Sequence, residues 1–176
     1  MAFGCAHRLT EAMTASPFVI LTSVAALAAA AAAGMMYVFS TFVLRGLDRT
    51  GPVDAITAMR GINAEANTNA PFLIGYFGSA ILAVAVGVMA VVKWGEPGSV
   101  WVLVGAAFGV LAAIITIAFN VPLNNHLDTV DPAGLSIAEA AREWREYYSP
   151  WTAWNHVRTA TSITAAILMV IALRYN

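Results

Sequence analysis

The chain has few of the residues with which proteins do metal or thiol chemistry. Of its 176 residues, one is cysteine and three are histidine. A lone Cys5 excludes an intramolecular disulfide and a cysteine metal site. His7, His126 and His156 show no ligand spacing and none lies in the interior of an apolar run, so neither a metal nor a haem is expected. Charge is scarce as well: 11% of residues are Asp, Glu, Lys or Arg, against 60% hydrophobic. A water-soluble domain of this length needs a larger charged share to cover its surface. The net charge of −1 gives no electrostatic reason to expect nucleic acid as a partner. No carboxylate lies within an apolar run, which argues against ion or proton transport through an intramembrane acid.

What the chain has in abundance is uninterrupted apolar sequence, in four runs at about 17–44, 71–92, 99–119 and 150–173. A hydrocarbon core of about 30 Å takes about 20 residues of helix, so each run is long enough to cross a bilayer. The expected fold is all-α: an integral membrane, antiparallel four-helix bundle over residues 17–176, after a mixed N-terminal tail at 1–16 that carries His7, Arg8 and Glu11. Arg8 ahead of an Ala-rich run resembles a leader peptide, but the run is too long for a leader's apolar segment and is read as a span. Ala28–Ala33 with Gly34, and Gly105 with Gly109, offer small-residue faces for close helix packing, which lipid does not otherwise reward. The short polar turn Lys93–Gly98 makes the second and third spans antiparallel neighbours.

Two longer connections carry amphipathic patterns. In Val53–Ala66, Ile56, Met59, Arg60 and Asn63 recur at i, i+3, i+4 and i+7 and share one face. Ser136-Ile137-Ala138-Glu139 is a capping box that opens a helix with Ile137, Ala140, Ala141, Trp144 and Tyr148 on one side. Both are expected to be short lid helices at the membrane surface. Ser149 and Pro150 suit an N-cap and first helical position, so the last span is expected to begin there as a separate helix.

Polar residues concentrate near one end. Trp151, Trp154, Asn155 and Arg158 repeat at i, i+3, i+4 and i+7 along the last span. An anchoring belt at the headgroup level is one reading. Two indoles, an amide and a guanidinium on one face favour the other, a polar, aromatic-lined cavity between helices. Asn120 and Asn124 flank Pro122 at the end of the third span; a helix through Pro122 leaves the Ala118 carbonyl without its usual donor. Irregular backbone at membrane depth is tolerated where it faces protein or a wet cavity. With four spans, Asn63, Asn120, Asn124 and the Trp151–Arg158 stripe all fall at the end opposite the termini. A plain count of arginines and lysines in the loops favours the cytoplasm for that end, but Arg142 and Arg145 belong to an acid-rich helix and Arg60 and Arg158 to the polar groups themselves, so the orientation stays open.

These residues carry a resemblance over nearly the whole chain. Gly34 with Phe39–Phe42, Ile62-Asn63, Asn120-Val121-Pro122-Leu123-Asn124, and Trp151 with Trp154-Asn155 and Arg158 resemble the anthrone oxygenase-like family of small four-helix membrane proteins. The resemblance implies oxidation of an anthrone to an anthraquinone by dioxygen, without metal or flavin, and is nearest to the family's bacterial members. It therefore implies a multi-pass protein of a bacterial plasma membrane, acting on a lipophilic aromatic compound. The residues fit such chemistry in part. Trp151 and Trp154 would form a flat slot for an aromatic ligand. Arg158, Asn155, Asn120 and Asn124, with Asn63 from the lid, would bind the ligand and hold an oxyanion. His126, with Asp128 behind it, is the candidate general base; His156 lies off the stripe. The alternative is a non-enzymatic membrane protein that binds a small hydrophobic molecule or serves as a structural partner in a membrane complex, and an oligomer is left open.

Overall fold

A computed structural model describes residues 16–175. The tail with Cys5, His7, Arg8 and Glu11 lies outside the described residues. Among those described, every regular element is helical. Four helices are long and apolar enough to cross a membrane. Helix α1 runs Pro17–Asp48, α2 Pro52–Thr68, α3 Ala70–Val92, α4 Ser99–Thr129 and α5 from Ile137 to Ala172. The spanning helices α1, α3, α4 and α5 close into a ring in which each packs against the next and α5 returns to α1. Helix α2 caps one end.

Local signals explain the boundaries. Pro17 follows Ser16, whose Oγ accepts from the Val19 N–H; Asn69 caps α3 in the same way through Phe72 N–H. Gly98 adopts φ 87° where the turn after α3 reverses into α4, a conformation that favours glycine. The bundle then tightens on small residues. A Cβ on Gly109 would lie 2.9 Å from Cβ of Ala83 on α3, and one on Gly105 would lie 3.2 Å from the Ala165 carbonyl of α5. The two glycines thus serve two different helix contacts rather than one.

Three expected boundaries move. Helix α1 continues to Asp48 through a π-turn at Phe39–Val43, and α4 continues to Thr129 through another at Thr116–Asn120. The second lid is not a separate helix: α5 runs unbroken through Ser149 and Pro150. Pro150 leaves the Glu146 carbonyl without its helical donor, but Glu146 is on the exposed side. Trp144, Tyr147 and Trp151, all buried in one cluster, pack the helix on both sides of the proline. Tertiary packing therefore overrides the local stop signal. The capping box at Ser136 and Glu139 forms as the spacing predicts.

The lid is a packed layer. Ile56 and Met59 of α2 are buried in one cluster with Leu44, Leu127, Ala140, Trp144, Tyr147 and Trp151. The Trp144 indole N–H donates to Asp48 Oδ1 at 2.8 Å, tying the start of α5 to the end of α1.

Candidate functional site

Beneath the lid the helices separate around a partly open cavity of about 90 Å³. Asn63 of α2, Tyr76 of α3, Thr116 and Asn124 of α4, and Trp151 and Arg158 of α5 line it, with apolar walls from Met36, Phe39, Met59, Ile62 and Phe72. The two π-turns face this level. A π-turn adds a residue to a helical turn, shifts the register of everything after it, and is common at functional sites. In α4 the Val121 N–H reaches back to the Thr116 carbonyl, five residues away. In α1 the π-turn contributes Phe39 to the cavity wall and the buried Ser40 to the network behind it.

Arg158 is the centre of the arrangement. It is 6% exposed, in the interior of a membrane bundle. Its Nε donates to Asn155 Oδ1 at 2.9 Å and its Nη1 to Thr116 Oγ1 at 3.2 Å. Its guanidinium carbon stands 5.0 Å from the Trp151 ring centroid, within cation–π reach. The Tyr76 hydroxyl lies beside it and is itself hydrogen-bonded to Thr116 Oγ1. Every one of these partners is neutral, and no carboxylate pairs with Arg158 among the described residues. A buried cation without a counter-ion is costly in any protein, and more so in a bilayer. Two neutral hydrogen-bond acceptors also leave part of a guanidinium's five-donor capacity unused.

The supporting groups are arranged to hold that cation in place. Asn155, fully buried, donates through Nδ2 to the Met36 carbonyl at 3.0 Å and to Ser40 Oγ at 2.7 Å, so its Oδ1 is turned to Arg158. Ser40 Oγ also meets Thr159 Oγ1 at 3.2 Å. Trp151 is fixed by its indole N–H, which donates to Asn124 Oδ1 at 2.7 Å; the Tyr147 hydroxyl donates to the same oxygen at 2.9 Å. Asn63 Nδ2 reaches Asp128 Oδ1 at 3.4 Å.

The structure brings together most of the residues expected from sequence. Asn63, Asn124, Trp151 and Arg158 line the cavity, and Asn155 stands behind Arg158. Asn120 is buried beside them but donates to the Trp151 carbonyl at 3.1 Å, with its Oδ1 unpartnered. Besides Asn155 and Asn120, which stand behind the lining, two expected residues lie away from the cavity. Trp154 stacks on Phe119 with centroids 3.6 Å apart, at the lipid-facing edge of α4 and α5. It sits about 60° around the helix from Trp151, enough to leave the cavity face. His126 is exposed, and its Nε2 pairs with Glu143 at 3.3 Å. The α4 extension carries it past the cavity to the outer surface. No histidine or carboxylate lines the cavity; its titratable lining groups are Tyr76 and Arg158. No three His, Cys, Asp or Glu side chains converge among the described residues.

Tyr76, Thr116 and Ser40 were not singled out by the sequence. Each is a hydroxyl in an apolar run, and hydroxyls there commonly satisfy themselves on a carbonyl of the preceding turn, as Thr116 does on Ala112 at 2.9 Å. The available signal was their position level with Arg158, which emerges only with the helix pairing.

A family model described as Anthrone oxygenase matches residues 72–168. No curated protein and no solved structure matches the chain. The matched region contains Tyr76, Thr116, Asn124, Trp151, Asn155 and Arg158, and with more than half of its length inside that match the chain belongs to the anthrone oxygenase family.

Proposed function

We propose that the protein is a cofactor-independent oxygenase that uses dioxygen to oxidise a lipophilic aromatic compound of the anthrone or quinone type. The observation that carries this reading is Arg158: a buried guanidinium with only neutral partners, lining an aromatic-walled cavity. Such a group stabilises a negative charge that develops on a ligand, because the surroundings are largely apolar and the donors are already oriented. The family's description as anthrone oxygenases agrees with it.

In the proposed reaction the anthrone carbonyl oxygen lies against Arg158. A nearby cation favours the ionised form of an acid, so the methylene proton leaves more readily, to water, and its electron pair spreads over the rings onto that oxygen. This makes ion pairing, rather than a histidine base, the activating device. The carbanion passes an electron to dioxygen, and the resulting pair joins through a carbon–oxygen bond. Protonation gives a hydroperoxide. Cleavage of its O–O bond, with loss of the remaining C–H proton, expels water and leaves the second carbonyl. One dioxygen is consumed and one quinone and one water are formed. Trp151 stacks on the rings, Asn63 and Asn124 supply amides at the rim, and Asn155 acts as a positioning residue for Arg158.

The test is dioxygen uptake with the rise of quinone absorbance by purified protein given an anthrone. A no-protein control is essential, because anthrones autoxidise. One dioxygen per quinone, at a rate well above autoxidation and lost in Arg158→Ala, is the expected result. Uptake no faster than autoxidation by folded, monodisperse protein overturns the oxygenase reading.

A further inference from the structure

The cavity is too small for a polycyclic ligand. At about 90 Å³ it takes no more than a single ring, whereas pockets for drug-sized ligands run from about 300 to 1,000 Å³. Directly beside it lies a second hollow of about 530 Å³, between the end of α1, the lid α2 and the start of α3. The two share Phe39, Ile62, Ala66 and Phe72 as a common wall. The outer hollow is almost wholly apolar; its polar rim is Glu65 and Asn69, which are hydrogen-bonded to each other at 3.1 Å. Its floor is made by small residues, Ala58 and Gly61, both exposed. A Cβ on Gly61 would meet nothing within 4 Å.

We infer that cavity and hollow form one elongated subsite pair for a single polycyclic phenol or enol. The oxygen-bearing ring sits inside at Arg158, and the remaining fused rings lie in the hollow beneath the lid. The volumes and the shared wall carry this: head and body need both spaces, and Arg158, Tyr76 and Thr116 line the inner one, while the outer one has only Glu65 and Asn69 at its rim. The hollow lies where the end of α1, the lid α2 and the start of α3 meet, so the ligand reaches Arg158 past Phe39 and Phe72. The four wall residues are all half-buried, and none is tied by a side-chain hydrogen bond. This inference rests on the proposed anion-stabilising role of Arg158, but not on turnover.

Filling the outer hollow while leaving the inner cavity alone tests it. Gly61→Leu adds a side chain where nothing stands, and replaces a mid-helix glycine by a better helix former. Ala58→Trp does the same from the next turn. The probes are 4-ethylphenol, a single ring that does not reach the outer hollow, and a hydroxyanthraquinone, a stable three-ring phenol. Binding is read by quenching of tryptophan fluorescence in nanodiscs, with each ligand compared between variants so that its partition into lipid cancels. The expected result is that either variant weakens the tricycle by at least about tenfold and changes 4-ethylphenol by less than about twofold. Equal tricycle binding in wild type and both variants overturns the two-part site. Failure of wild-type protein to bind either phenol overturns this inference together with the role of Arg158. Binding that follows the expected pattern without any dioxygen uptake supports the two-part site and removes only the oxygenase reading.

Discussion

Where Gly109 meets Ala83, α3 and α4 approach so closely that an added Cβ would sit 2.9 Å from its neighbour. Seven residues away toward the lid, about 10 Å along the axis, Tyr76 and Thr116 of the same two helices stand beside a cavity. In the first region the buried residues are Ala83, Val86, Ala90, Val102 and Ala106, and contact is as tight as small side chains allow. In the second they include Ser40, Asn63, Thr116, Asn120, Asn155 and Arg158, and both π-turns are found at this level. Small apolar residues would have closed the second region too, at lower cost. A bundle that needs only to hold together has no use for a buried, unpaired guanidinium. The difference separates a close-packed half from a half that keeps a cavity beside Arg158.

Substitutions that exchange the properties of the two regions break this comparison, and the largest effect is expected in the site. Thr116→Asp would set a carboxylate where an oxygen now lies 3.2 Å from Arg158 Nη1. The cation then has a counter-ion of its own and no longer favours a ligand's charge. Anthrone-dependent dioxygen uptake should fall at least about 100-fold, with stability changed by no more than about 1 kcal/mol, since a buried ion pair roughly breaks even. Unchanged uptake would mean that the unpaired charge is incidental.

The scaffold should answer in the opposite way. Gly109→Leu drives a side chain into α3 and should cost about 3 kcal/mol through overpacking, read as a lower unfolding midpoint in detergent. Uptake by the fraction still folded should be near normal. Trp154→Ala comes next: it removes the stack on Phe119 and should cost about 1 kcal/mol while leaving uptake within about twofold. A large loss of uptake would return Trp154 to the ligand slot.

The smallest effect lies outside the membrane, at the start of α5. Hydrogen bonds from Ser136, through its side chain and its backbone, hold the Glu139 carboxyl below its ordinary value of 4.5; desolvation opposes this and Arg142 adds to it. A carboxyl with a lowered folded pKa binds fewer protons folded than unfolded. Its contribution is therefore complete above the ordinary value and is lost as pH falls through the folded one. Wild type should lose stability slightly more steeply on acidification below pH 4.5 than Ser136→Ala, measured as unfolding midpoint against pH. Identical slopes would show that the capping box contributes nothing by this route.

The four spans and the lid end were legible because an apolar run without charge has few alternatives in a chain this poor in charge. Arg158 was legible for the same reason, as the conspicuous cation within such a run. The helix count of 100° per residue also put Trp151, Asn155 and Arg158 on one side correctly. It failed for Trp154, whose place at the flank of that stripe depends on how wide the cavity is. It could not foresee the π-turns, since no residue in Phe39–Val43 signals one. Pro150 misled because a local rule for helix starts was applied where Trp144, Tyr147 and Trp151 pack the helix on both sides of the proline. His126 misled because a helix was expected to end near Pro122 and instead carried it outward.

The central claim is that Arg158 is kept for a ligand and not for the fold. Arg158→Gln keeps an amide donor for Asn155 Oδ1 and removes the charge. The most direct measurement is the unfolding midpoint of this variant beside its anthrone-dependent dioxygen uptake, in one detergent preparation. The account predicts a midpoint equal to or above that of wild type, because a buried charge has been removed, and uptake reduced to the autoxidation rate. A variant that unfolds at markedly lower temperature while its folded fraction still consumes dioxygen at the wild-type rate would contradict it.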